Sequence, residues 1–190
     1  MGRPMMASRG WKKLSTDIVA ETPLFTMKRE RVVNPRNDHE FDAYVIDLSD
    51  WVNVIAITPE REMVFVRQYR HGISRDTLEI PGGVIDPGED AVAAAVRELL
   101  EETGYSSERV QHIGTVDAQP AIQNNALHTY LVIDAEPTAE LAQDHGEDLR
   151  VELHPLDSLD ELVRTGEISH SMMLTAFHWL TLYFRKNGSI

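Results

Sequence analysis

Residues 83–105 read GVIDPGEDAVAAAVRELLEETGY, and the order of residue types in this stretch decides the fold around it. Asp86-Pro87-Gly88 is a turn signal, and the acidic Glu89 and Asp90 suit the positive end of a helix starting just after it. Val92, Ala95, Val96 and Leu99 recur at helical spacing and predict the stripe that packs on a core. Gly104 stands where a left-handed residue caps the helix C-terminus. Glu98, Glu101 and Glu102 fall at i, i+3 and i+4, so all three share a second face of that helix. Like charges at this spacing destabilise an isolated helix by about 0.2–0.5 kcal/mol per pair. A hard divalent cation held by oxygen atoms compensates them directly. A plain solvated acidic face would leave Arg97 and the glycine-led loop unexplained.

Outside this segment, composition narrows the classes of function. A chain of 190 residues with 42% hydrophobic residues has enough material for one globular domain and is not a disordered protein. The net charge of −13 argues against a nucleic-acid partner, which needs a basic stripe. An acidic protein that handles anionic phosphates must screen them locally, with bound metal and a few placed arginines. The chain has no cysteine, which excludes disulfides, thiolate metal sites and cysteine nucleophiles. No apolar run of membrane-spanning length exists and no secretory segment follows MGRPMMASRG, so the expected setting is cytoplasmic, with no membrane partner.

Along the chain, residues 1–10 read as a flexible start, 11–45 as an N-terminal β region and 46–190 as the main domain. FDAYVIDL, WVNVIAITP and EMVFVRQYR are β-rich runs divided by turn residues and read as antiparallel strands. VQHIGTVDA, HTYLVIDAEP and residues 151–154 are further strands, and residues 137–148 form a polar, acidic loop. Residues 155–165 and 170–186 are helical, with Met173, Phe177, Leu180 and Phe184 as the buried stripe of the last helix. Strands interleaved with a few helices around a mixed sheet predict an α/β sandwich.

Gly83, Glu89, Arg97, Glu98, Leu99, Glu101, Glu102 and Gly104 match the fixed positions of the Nudix box, GX5EX7REUXEEXGU with U aliphatic. Only Tyr105 departs, at a packing position. The chain therefore resembles the Nudix hydrolases. VRQYRHG followed by LEIPGG is similar to their ADP-ribose and nucleoside-diphosphate-sugar pyrophosphatase branch. The resemblance implies an α/β/α sandwich around a mixed sheet, with an N-terminal β extension. It also implies hydrolysis of the pyrophosphate bond of a nucleotide sugar, assisted by Mg²⁺ or Mn²⁺.

By the same resemblance, Glu98 and Glu102 with the Gly82 carbonyl would hold metal, with Glu101 sharing or beside it. Arg97 would tether the carboxylates, and Glu89 would steady the loop through Arg97. For the general base Glu147 is the first candidate, followed by Asp148, Asp144 and Glu140, with His145 and the box residue Glu101 as alternatives. Arg67 and Arg70 would reach phosphate or terminal ribose, and Glu79 would sit beside the metal loop. Phe25, Phe41 and Tyr44 occupy the region where relatives carry base-stacking aromatics, often across a dimer that exchanges N-terminal strands, so a homodimer is expected. As single residues they also read as ordinary core aromatics. Gln123, Asn124 and Asn125 are candidates for sugar hydroxyls and equally for turn residues, and Pro120 for the branch's proline or a plain loop proline. Other Nudix substrates, dinucleoside polyphosphates or nucleoside triphosphates, are the alternative, with a non-catalytic nucleotide-sugar sensor behind them.

Overall fold

The computed structural model of the protein describes residues 10–141 and 148–188. Chain contacts divide it into two units, one comprising the chain up to Leu48 with Asp117–Asn125, the other Ser49–Val116 with the chain from Ala126.

The first unit is built on three antiparallel strands in the order β1 (Lys12–Glu21), β2 (Thr26–Val33) and β3 (Glu40–Asp47). Thr22 closes the first hairpin: its hydroxyl accepts from the N–H groups of Leu24 and Phe25. The Asn124 side chain braces the loop 117–125 on β3, accepting from Leu48 N–H at 3.1 Å and donating to Asp47. Asn124 thus acts as a loop brace, one of its two sequence readings. All of β1 is exposed, including Leu14, Ile18 and Val19, and so is Trp11 just before it.

In the second unit, β4 (Trp51–Ile57) and β5 (Glu62–Arg70) lead into β6 (Arg75–Glu79), β7 (Gly82–Val84) and α1 (Ala91–Thr103). Then come β8 (Tyr105–Ser106), β9 (Arg109–Asp117), β10 (Ala126–Ile133), β11 (Glu136–Pro137) and β12 (Arg150–Pro155). Helices α2 (Leu159–Arg164) and α3 (Ser171–Asn187) finish the chain. The main sheet runs β12-β5-β4-β10-β9, with β6 beside β5 and β7 beside β4. It is mixed: β10 is parallel to β4, while β5 and β7 are antiparallel to it. Of the three β-rich runs, the first pairs with β2 in the smaller sheet.

Side chains alternate across a strand, so one strand feeds two cores. Val52, Val54 and Ala56 pack with Ala94, Ala95 and Leu99 of α1 on one face of the sheet. Ile55 and Ile57 pack with Met173, Ala176, Phe177 and Leu180 of α3 on the other. Helix, sheet and helix form the expected sandwich. Phe184 is half-buried at the edge of the α3 stripe.

The stripe on α1 needs correction. Ala95 and Leu99 are buried as expected, but Val92 and Val96 are exposed, and Ala94, Glu102 and Thr103 take the inward positions. Small Ala94 and Ala95 meet the sheet, and this rotates the helix so that Glu102 turns inward. The caps are as expected. Asp90 accepts from Val92 N–H at 2.9 Å, and Gly104, at φ 74°, donates to the Leu100 carbonyl.

Candidate active site

Arg97 is the centre of the box. Its Nε and Nη2 donate to the two Glu89 oxygens at 3.0 and 2.9 Å, and Nη2 also reaches the Val84 carbonyl at 3.1 Å. Its Nη1 donates to Glu98 Oε1 at 2.9 Å and to Glu101 Oε2 at 3.1 Å. One guanidinium thus joins the loop to two of the three helix carboxylates. The bonds to Glu89, working against burial and joined by those to Glu98, push the Arg97 pKa above its ordinary value. The Arg97 bonds and the Asp86 N–H hold Glu89 below the ordinary carboxylate value. The third carboxylate goes elsewhere: Glu102 Oε2 accepts from Gly82 N–H at 2.9 Å.

Gly83 has a steric reason. A Cβ on it would lie 2.3 Å from Glu98 Oε1, so any side chain would fill the space beside that carboxylate. Among the described residues no group of three or more His, Asp or Glu side chains stands together as a metal cage, because Arg97 draws Glu98 and Glu101 while Glu102 turns to Gly82. The donor set nonetheless fits a hard cation: carboxylate oxygens of Glu98 and Glu102 border the Gly82–Gly83 backbone, and the missing side chain of Gly83 lets the Glu98 carboxylate sit against that backbone.

The Gly82–Val84 backbone lines a cavity of about 600 Å³, of the size that holds a small-molecule ligand. Arg70 and Glu79 line it too. Both Glu79 oxygens accept from Arg70, Oε1 from Nε at 2.8 Å and Oε2 from Nη2 at 2.7 Å, while the Thr77 hydroxyl donates to Oε1 at 2.6 Å. Burial pushes the Glu79 carboxyl up, but the bonds and charge of Arg70, with Thr77 and His170, outweigh it and hold it below its ordinary value.

The other expected residues each have their own surroundings. Arg67 is not among the cavity-lining residues: it is held by Glu152, at 2.5 and 3.1 Å, and by Glu167 at 2.6 Å. These bonds, Glu152 first, push its pKa up against the effect of burial. Phe25 and Phe41 belong to the first unit, where Phe41 packs edge-on against Trp11 at 5.9 Å, and Tyr44 is exposed there. Asn125 is buried with its amide unpartnered among the described residues. Glu147, Asp144 and His145 lie outside the described residues, whereas Glu140 and Asp148 are described and exposed. Trp51, Asn53, Tyr69, His71 and His170 line the cavity and were missed. Asn53 had a readable signal, a lone polar residue inside the apolar run WVNVIAI.

Residues 47–177 match the NUDIX domain model, so the chain belongs to the Nudix family and is a Nudix hydrolase. It groups with the branch that contains the ADP-ribose pyrophosphatases. It is 30% identical over 132 residues to an ADP-ribose pyrophosphatase of Bacillus subtilis (strain 168), covering 69% of this chain and 71% of that one. It is 35% identical over 134 residues, with the same coverage, to the methanol dehydrogenase activator of Bacillus methanolicus. The crystal structure of an ADP compounds hydrolase superposes with a TM-score of 0.84 at 20% identity, covering 97% of this chain and 100% of that chain, and shares the fold.

Proposed function

We propose that the protein hydrolyses the pyrophosphate bond of a nucleoside diphosphate sugar, ADP-ribose or ADP-glucose among them, to a nucleoside monophosphate and a sugar phosphate. One observation carries this reading: the backbone that contacts Glu98 and Glu102 also lines the cavity holding the Arg70–Glu79 pair. The resemblance to ADP-ribose pyrophosphatases supports the substrate class.

Nudix hydrolases generally use divalent metals, and here Glu98, Glu102 and the Gly82 carbonyl would hold Mg²⁺ or Mn²⁺, with Glu101 sharing. When bound, such an ion neutralises phosphate charge and lowers the pKa of water. Arg97 keeps the carboxylates in register with the loop. Water adds to one phosphorus, the bridging P–O bond breaks, and a carboxylate takes the water proton. Glu101 is the candidate for this base within the described residues nearest Arg97, and Glu147 is the candidate outside them. Arg70 would reach the phosphates or the terminal ribose, and its pairing with buried Glu79 limits how far it moves.

The reading carries with it a cytoplasmic homodimer. Exposed Trp11, Leu14, Ile18 and Val19 on β1 and its neighbour residues are an apolar surface that a second copy would cover, bringing Phe25 or Phe41 to a base. Among the described residues no helix is long and apolar enough to cross a membrane. The test is product analysis with Mg²⁺ over ADP-ribose, ADP-glucose, UDP-glucose, diadenosine polyphosphates and a nucleoside triphosphate. Monophosphate plus sugar phosphate from the first three supports the reading. Turnover confined to the others moves the substrate class, and silence on all of them makes the protein a sensor. A monomeric mass at micromolar concentration would remove the dimer.

A further inference from the structure

Two polar residues of the cavity have no part in the chemistry above. His170 caps α3, with Nδ1 accepting from Met172 N–H at 3.2 Å. That bond uses the Nδ1 lone pair, so the neutral ring carries its proton on Nε2 and offers a donor there. Asn53, on β4, is 3% exposed, and neither its amide oxygen nor its nitrogen has a partner among the described residues. Its register neighbours are Thr129 of β10, whose buried hydroxyl is also unpartnered, and Gly82 of β7. A polar seam therefore crosses the sheet and ends at the loop that contacts the box carboxylates. Buried amides and hydroxyls are costly when left unpaired, so the seam is a place where hydrogen-bonding ligand atoms or water are favoured.

The charges decide which ligand. Arg70 is already matched by Glu79 through both carboxylate oxygens. A further phosphate here would set a second negative charge near a buried carboxylate, and the remaining wall is apolar, with Ile73, Ile80, Met172 and Met173. A neutral polyol meets the wall better, since each hydroxyl both donates and accepts and Asn53 does the same. Resting on the hydrolase reading above, we propose that this cavity takes the sugar arm of the substrate, with His170 donating to a sugar hydroxyl and Asn53 completing the polar lining. His170 is then a specificity-determining residue.

The test compares His170→Asn with the wild-type protein, because asparagine is among the best N-caps and keeps α3 capped while removing the ring. The expected result is a KM for ADP-ribose raised about tenfold, the size of one hydrogen bond, with an unchanged inhibition constant for AMP, which lacks the sugar arm. The melting temperature, read beside it, stays at the wild-type value. Unchanged KM, or KM and the AMP constant rising together, overturns the proposal and leaves the hydrolase reading standing. A wild-type protein that does not turn over ADP-ribose overturns both.

Discussion

Glu79 is nearly sealed from solvent, with its side chain 2% exposed, whereas the Arg70 that clamps both of its oxygens is 44% exposed. Removing the exposed partner therefore strands the buried one. Arg70→Ala is expected to cost about 2 kcal/mol, less than a fully buried pair because water already screens the guanidinium. The double variant Arg70→Met/Glu79→Leu should recover most of that stability in urea unfolding while activity stays lost. Equal losses of stability in the single and double variants would mean the pair does not act as a unit.

Acid sensitivity follows from carboxylates held down by arginine. The bonds from Arg67, opposed by burial and helped by His154, lower Glu152 below its ordinary 4.5. A group depressed in the folded state contributes stability that is fully present above its unfolded value and is lost as pH falls through the folded one. Stability should thus decline as pH drops below about 4.5, and the Glu152→Gln variant should show a shallower decline. Parallel curves for the two proteins from pH 6 to 3 would contradict the assignment.

Gly83→Ala tests the space beside Glu98. The new Cβ would meet Glu98 Oε1 at 2.3 Å, so the carboxylate must swing away from Arg97. Activity should fall about a hundredfold with a melting temperature within a few degrees of wild type. Near-normal turnover would show that the position of Glu98 is unimportant.

Much of the box was legible because its signals are local. Asp90, Gly104 and the i, i+3, i+4 carboxylates each act within a turn or two of backbone, where spacing translates directly into position. The outward turn of Val92 and Val96 was not legible: periodicity gives a stripe, and only contact with the sheet selects Ala94 and Ala95 as its centre. The parallel pairing of β4 with β10 joins Trp51 to Leu127 and Ile57 to Ile133, far apart in the chain, and no local pattern encodes it. Nor does any local pattern place Asn53 and His170 on one cavity, since each arrives on a different element. Arg67 carries a partner set that was not legible either: its pairing with Glu152 on β12 and with Glu167 joins residues far apart in the chain, and no local pattern encodes it.

The most direct test of the account is turnover of ADP-ribose with Mg²⁺ by the wild type and by the Glu98→Gln and Glu102→Gln variants, alongside their melting temperatures. Both substitutions keep the shape, leave one acceptor oxygen and remove one negative charge. The account predicts AMP and ribose 5-phosphate from the wild type, a loss of at least about a hundredfold in each variant, and an intact fold. Wild-type rates in both variants would contradict it.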